Sequence, residues 1–327
     1  MKPQINTLVV GGTGAMGGRV VHRLLAHPAN AITVLTRDPA SVRAVALLER
    51  GGGRVRLVRG DVDDPAALRR AVSGADRVFC NTDFFSTGSA LEEHRQGVAV
   101  LEAARVAGVD RFVWSSLDAV AALTHGRTVV PHYDAKAAVA AHVHLQRSEE
   151  VVRREQDGWY THHVSILTTA PYFENLSTRL APTPGRLPDG RQGLVLHAPL
   201  GTGRYPMIGL DDIARFADLL FERWQSWGGR DLAVVAEGLT GEQIAGAFER
   251  TTGVPTAYVP VPLDVLRDSD PDHGHDFAAM FQFFQERDLT ARDRDVSLLR
   301  ALLPDLTTLE EWLRATGPDP ERRILPG

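Results

Sequence analysis

The run Gly11-Gly12-Thr13-Gly14-Ala15-Met16-Gly17-Gly18 constrains this chain more than any other stretch. It lies between a short apolar segment, Ile5–Val10, and a segment with helical apolar spacing, Ala15–Ala26. Glycines at such a junction permit a tight turn and let backbone amides approach a bound group closely. The helix that follows offers unpaired N–H donors and a partial positive charge at its N-terminus. Strand, glycine turn and helix together form the cradle of a dinucleotide pyrophosphate. The spacing reads as G-x-G-x-x-G from Gly12, Gly14 and Gly17, and equally as G-x-x-G-x-x-G from Gly11, Gly14 and Gly17.

The alternation continues. Strand patterns at Ala31–Thr36, Arg54–Val58, Arg77–Cys80 and Arg111–Ser115 are separated by helical patterns at Ala40–Arg50, Pro65–Ala71 and Leu91–Ala107. That rhythm builds right-handed βαβ units, hence an α/β, Rossmann-type doubly wound parallel sheet. Leu117–Pro131 reads as a loop, Asp134–Glu155 as one long helix and His162–Leu167 as a sixth strand. Residues 170–209 are rich in proline and glycine, with a hairpin signal at Leu194–His197. Asp211–Trp227 is helical, Asp231–Ala236 returns to the main sheet, and Gly241–Thr252 is a helix capped by Thr240. Helical pieces near Phe277–Glu286 and Leu306–Ala315 close the chain. The expected division is a Rossmann domain over 1–170, rejoined by 207–237, and a smaller C-terminal α+β substrate lobe over 171–327.

Composition narrows the classes. Hydrophobic residues are 43% and charged residues 24% of the 327, which suits one large or two ordinary folded domains rather than disorder. A net charge of −5 argues against nucleic acid or an anionic membrane as a general partner. A single cysteine, Cys80, excludes an internal disulfide and any multi-cysteine metal site. No signal peptide pattern opens the chain, and no apolar run approaches the roughly 18 residues of a membrane span. A cytoplasmic location is expected.

Candidate site residues follow the strand ends, because ligands of such sheets lie beyond the carboxyl ends of the strands. After the second strand come Arg37 and Asp38. An acidic residue there would bond the ribose hydroxyls of NAD, and an arginine would accommodate the extra phosphate of NADP. Asp38 precedes Pro39, which suits a helix cap with proline in the first turn, so Arg37 selects NADP(H). Asp61 follows the third strand, Asn81, Thr82 and Asp83 the fourth, and Ser115 and Ser116 the fifth.

Pro131-His132-Tyr133-Asp134-Ala135-Lys136 is the best candidate for the chemistry. His132 and Lys136 are four apart and share a helix face. A lysine there bonds the nicotinamide ribose, lowers a neighbour's pKa by its charge or acts as an acid itself, and His132 is suited to moving a proton near neutral pH. Pro171-Tyr172-Phe173-Glu174-Asn175 follows the sixth strand. Its aromatics, Tyr172 and Phe173, either cover a nicotinamide or belong to the core, with Glu174 and Asn175 reaching substrate or bonding backbone. The histidine pairs His162-His163, His142-x-His144 and His273-x-His275 lack partners at metal spacing, so no metal is expected.

The glycine loop, Thr36-Arg37-Asp38-Pro39, the Lys136 segment and Pro171-Tyr172-Phe173-Glu174-Asn175-Leu176 resemble the NmrA-like family of atypical short-chain dehydrogenase/reductases. Asp276–Phe284 and Leu309-Glu310-Glu311-Trp312-Leu313 are similar to the closing helices of that family, in its NADPH-sensing branch. The resemblance implies a Rossmann domain, a smaller C-terminal lobe and a cleft between them. It implies NADP held by Gly11, Gly12, Thr13, Gly14, Ala15, Met16, Gly17, Arg37, Asp61, Asn81, Thr82, Asp83, Lys136 and Ala170, Pro171, Tyr172 and Phe173, with Arg95 facing the cofactor region.

One departure matters. Ordinary members of the wider superfamily use Tyr-x-x-x-Lys, but here the position four before Lys136 is His132, and Tyr133 is one residue out of register. The family resembled includes both reductases of small conjugated substrates such as quinones and members that sense the NADPH/NADP ratio. The reading taken from the residues is an NADPH-dependent oxidoreductase of small organic acceptors of quinone, enone or imine type, with Lys136 orienting the ribose and His132 or Tyr133 supplying a proton. The alternatives are a non-catalytic redox sensor that binds a regulatory protein, and a redox-neutral enzyme that keeps NADP as structure. The expected partners are a small-molecule substrate or a regulatory protein, in a monomer or homodimer.

Overall fold

The structure is a computed structural model and describes residues 4–317. The first segments are β1 (Ile5–Val10), α1 (Ala15–Leu25), β2 (Asn30–Thr36), α2 (Val42–Gly51), β3 (Val55–Arg59), α3 (Pro65–Val72), β4 (Arg77–Cys80), α4 (Ala90–Val106) and β5 (Arg111–Ser116). Then come α5 (Val120–Leu123), α6 (Pro131–Val152), α7 (Trp159–His163) and β6 (Val164–Thr168). They are followed by β7 (Thr183–Arg186), β8 (Gln192–Ala198), β9 (Tyr205–Met207), α8 (Leu210–Glu222), α9 (Trp224–Trp227), β10 (Asp231–Ala233), β11 (Glu237–Leu239), α10 (Gly241–Thr252) and β12 (Thr256–Pro260). The described chain closes with α11 (Leu263–Ser269), α12 (Gly274–Glu286), α13 (Leu289–Arg292), α14 (Val296–Leu302) and α15 (Leu309–Thr316). Among the described residues no helix is long and apolar enough to cross a membrane.

Internal contacts divide the chain into two units. One takes the chain up to Ala119 together with Pro131–Thr168 and Ile213–Leu232. The other takes Val120–Val130, Thr169–Asp212 and the chain from Ala233 onward.

In the first unit the strands form one sheet in the order β10-β6-β5-β4-β1-β2-β3. β1 pairs in parallel with β2 on one side (Val9↔Val34) and with β4 on the other (Val9↔Phe79). The chain order therefore reverses between β1 and β4, the switch point where such sheets open a crevice. β4 is buried at every position, as a central parallel strand covered on both faces requires. On the α4 and α6 side the core joins Val78, Val100, Leu101, Phe112, Trp114, Val139, Val143 and Ile166. Each such side chain contributes about 1.5–3 kcal/mol by leaving water. A Cβ at Gly97 would meet Val139 Cγ2 at 2.6 Å, so glycine there is what lets α4 and α6 close up.

β10 joins this sheet beside β6, as the pattern at 231–236 led us to expect, but it stops at Ala233. Its Asp231 accepts from Arg147 Nη1 at 3.0 Å and lies 2.6 Å from His144 Nε2, both on α6. Burial raises the Asp231 carboxyl, but hydrogen bonds from His144 and Arg147 outweigh it and hold the group below its ordinary value. A depressed folded value means stability that is present above the unfolded value near about 3.9 and is lost as pH falls through the folded one. The urea-unfolding difference between the parent and Asp231→Asn is therefore expected to be fully present near pH 7 and to narrow as pH falls below about 4. A difference independent of pH would remove this role.

The second unit contains the hairpin signalled at 194–197. β7 and β8 pair antiparallel (Pro184↔Leu194), and β12 adds a parallel third strand to β8 (Tyr258↔Leu196). β9 and β11 pair antiparallel (Pro206↔Gly238). Tyr205 stacks on Phe281 at 5.6 Å and meets Phe284 edge-on at 5.7 Å, which anchors α12. α10 begins in a full capping box, with Thr240 and Gln243 exchanging bonds.

Several boundaries differ from expectation. Pro131 and the residues after it start α6 three residues earlier than the 134–155 pattern, because proline is preorganised for the first helical turn. The 117–131 loop contains the single turn α5. Asp38 does not cap α2. Ser41 does, accepting from Ala44 N, while Asp38 Oδ1 accepts from Ala40 N in a local turn. A side chain that can bond its own backbone two residues on competes with the cap role.

Candidate functional site

The glycine loop lies at the carboxyl end of β1. Gly11 has φ of +77°, and a Cβ there would sit 2.2 Å from the carbonyl oxygen of Asn81. The loops after β1 and β4 thus touch backbone to backbone across the switch point. Gly17 packs as tightly on the other side, where a Cβ would fall 2.1 Å from Gly11 O. Gly14 is the N-cap residue of α1, and no side chain caps that helix. Its opening N–H groups are left to an external acceptor, with the helix dipole behind them. Thr13, Gly14 and Ala15 are not buried, whereas Gly12 and Met16 are. Ser115, at the end of β5, donates to Met16 Sδ at 3.3 Å and so braces the loop from below.

Arg37 follows β2 and is two-thirds exposed, with Nε 4.0 Å from Asp61 Oδ2. The two residues singled out at the ends of the second and third strands are therefore neighbours in space. Asn81 is held by its own N–H bond to Val10 O at 3.2 Å, and Asp83 is exposed at the start of a turn through Phe84–Ser86. Arg95 is on the exposed face of α4. Its Nη2 donates to Asp63 Oδ1 at 2.7 Å and to Glu92 Oε2 at 2.6 Å, so its guanidinium is engaged with carboxylates.

Lys136 is in the second turn of α6 and is buried. Its Nζ donates to Thr82 O at 2.7 Å and to Glu93 Oε1 at 2.7 Å, and lies 3.3 Å from Thr82 Oγ1. It also stands 5.5 Å from the ring centre of Trp114, a further favourable contact for a cation. Ser116 Oγ and Trp114 Nε1 both donate to the Lys136 carbonyl. The structure thus brings Thr82, Ser116 and Lys136 together. His132 and Tyr133 are 8% and 2% exposed, and the His132 ring lies 5.3 Å from Phe85 and 4.8 Å from Tyr133. Burial pushes the Cys80 thiol far up, so it stays protonated and packs as a small apolar group.

Ala170, Pro171, Tyr172 and Phe173 follow β6 and belong to the second unit. Phe173 is buried and packs 6.0 Å from Trp312, and Tyr172 bridges to Ile208. Glu174 accepts from Leu210 N with both oxygens at 3.3 Å, at the first residue of α8. That is the backbone bonding open to it in the sequence. Asn175 Nδ2 donates to Tyr205 OH at 3.3 Å, and burial pushes that hydroxyl up to about 12.

Glu93 escaped the sequence analysis because Glu92-Glu93 resembles a solvated helix start. A signal existed. Glu93, Gln96, Gly97, Val100, Leu101 and Ala104 form the buried stripe of α4, and a carboxylate on the apolar register is out of place.

A parallel sheet with a glycine cradle at its switch point defines a Rossmann-type, doubly wound α/β protein, here with a smaller C-terminal lobe. The sequence pattern of the NmrA-like family matches residues 3–313, and the chain belongs to that family. An NmrA-like family domain-containing oxidoreductase, FrzB, of a Cladobotryum species is 25% identical over 263 residues, 77% of this chain and 75% of its own. The NAD(P)H azoreductase of Xenophilus azovorans is 26% identical over 260 residues, 79% of this chain and 77% of its own. Among solved structures, the negative transcriptional regulator NmrA in complex with NAD matches with a TM-score of 0.73 at 20% identity, covering 96% of this chain and 95% of that one. NmrA has also been solved with NADP, at the same TM-score and 19% identity over the same shares. The NADPH-dependent quinone oxidoreductase of Escherichia coli, with NADPH, matches with a TM-score of 0.69 at 20% identity over 94% of this chain and 99% of that one. These structural likenesses establish the shared fold.

Proposed function

We propose that this protein binds NADP(H) at the β1/β4 switch point and passes hydride to a small organic acceptor of quinone, enone or imine type. The observation that carries it is the α1 N-terminus, uncapped by any side chain, in a loop where Gly17 packs on the Gly11 backbone and Gly11 on that of Asn81 only because each lacks a Cβ. That cradle fits a pyrophosphate. Relatives named as oxidoreductases and an azoreductase support the reaction class.

When bound, NADPH supplies the hydride. Gly11 to Met16 bind the pyrophosphate through backbone amides. Arg37 meets the 2′-phosphate as a charge-assisted donor. Lys136 donates from its ammonium to the nicotinamide ribose and steadies negative charge developing on the acceptor. A quinone or enone product anion is delocalised, so it needs little acid help, which suits a site without Tyr-x-x-x-Lys.

The test is NADPH oxidation by the purified chain against a panel of quinones, enones and imines. Turnover on at least one supports the proposal, and NADPH binding without turnover on any would shift the reading to a sensor. One observation favours that second reading: His132 and Tyr133, the nearest proton sources by sequence, are both buried. Arg37→Ala is expected to weaken NADPH binding about tenfold or more while NADH binding changes little. Equal losses for both cofactors would show that Arg37 does not meet the 2′-phosphate.

A further inference from the structure

Among the described residues Glu93 is the most deeply buried acidic side chain. It is 0% exposed, its Oε1 accepts from Lys136 Nζ at 2.7 Å and from Thr82 Oγ1 at 2.5 Å, and its Oε2 is buried with no hydrogen-bond partner. An ammonium has three N–H donors. Those of Lys136 meet Glu93 Oε1, Thr82 O and, at a longer 3.3 Å, Thr82 Oγ1. Removing both charges from water is costly, and a well-packed apolar pair in the same place is usually at least as stable. Fold stability alone is therefore a poor explanation for this pair. Its place is a better one. Thr82 is two residues beyond the end of β4, beside the switch point, so the pair pins α4 and α6 to the loop that faces Gly11.

We infer that Glu93 is a positioning residue that acts through Lys136. It fixes the ammonium against the Thr82 carbonyl, so that two of its three donors are committed to the protein in known directions. The third, on the long contact to Thr82 Oγ1, is the one given up to a ribose hydroxyl. Thr82 Oγ1 keeps a partner throughout, because its own proton is donated to Glu93. This rests on the reading that the site takes NADP(H), and it adds a residue to which neither the motif nor the family likeness pointed.

The experiment titrates the full chain with two probes, NADPH and adenosine 2′,5′-bisphosphate, which lacks the nicotinamide ribose. Glu93→Gln is expected to weaken NADPH about tenfold while the bisphosphate stays within about twofold of the parent. Glu93→Asp, which keeps the charge, is expected to recover part of the loss. In a Lys136→Met background, adding Glu93→Gln is expected to change NADPH affinity by less than about twofold, because Glu93 then has nothing to act through. Equal weakening of both probes by Glu93→Gln would mean a merely structural role and would overturn the inference, as would no weakening of either. If Glu93→Gln does not fold, the comparison of Lys136→Met with the double variant, which holds no buried charge, decides in the same terms. A parent chain that binds neither probe overturns the cofactor reading itself. A parent that binds both, with Glu93→Gln unchanged, overturns only the role of Glu93.

Discussion

Gly17→Ala is expected to raise the dissociation constant for NADPH about a hundredfold or more, close to 3 kcal/mol. The added methyl would sit 2.1 Å from Gly11 O and 2.9 Å from Gly12 Cα. Both are backbone atoms, so no side chain can turn away. The first turn of α1 must move off the loop, and the amides that form the pyrophosphate cradle move with it. Overpacking of this kind costs about 1–3 kcal/mol in stability as well. Gly18→Ala is the internal control, since its methyl would meet only Gly12 O at 3.6 Å, an ordinary contact. Fluorescence titration with NADPH and urea unfolding of both variants check the result. Unchanged affinity in Gly17→Ala would show that the loop does not hold the cofactor.

Lys136→Met is expected to cost about 3–5 kcal/mol of folding stability, the typical loss when one member of a buried ion pair is removed. The reason is Glu93, left ionised or forced to take up a proton where its side chain is fully buried. Adding Glu93→Gln to Lys136→Met is expected to restore most of that stability, because a neutral amide beside an apolar chain leaves no uncompensated charge. Urea unfolding of the parent, both single variants and the double variant forms the thermodynamic cycle. A loss below about 1 kcal/mol for Lys136→Met would place the pair in solvent rather than in the core. This stability effect is separate from the affinity effect, and the cycle keeps the two apart.

Much of the first unit was legible in the residues. Runs such as Ile5–Val10 and Arg77–Cys80 are mostly apolar because parallel strands are covered on both faces, and their boundaries match the strands observed. Thr240 and Gln243 announce the start of α10 through a bond made within four residues. The strands β9, β11 and β12 were not legible. Each is short, and each exists because of a partner distant in the chain, as Thr256 beside Leu194 shows. Asp38 and Ser41 were both capable of capping α2, and only the path of the backbone between them decided in favour of Ser41.

The candidate site divides along the same line. Gly11, Gly14 and Gly17 have a meaning that the sequence carries by itself, because their spacing is a constraint on one continuous turn. Arg37 at a strand end and Lys136 near the start of a long helix were locatable for the same reason. Glu93 was not, since its role depends on α4 lying against α6 and on Thr82 lying between them. The sequence by itself determined the order of strands and helices and the glycine cradle, which follow from local backbone geometry, and the sign of the charge at Arg37, which belongs to the side chain whatever the fold. Only the tertiary structure decided which carboxylate faces the buried lysine, because a charge pair in the core is chosen by packing between segments 43 residues apart rather than by any local preference.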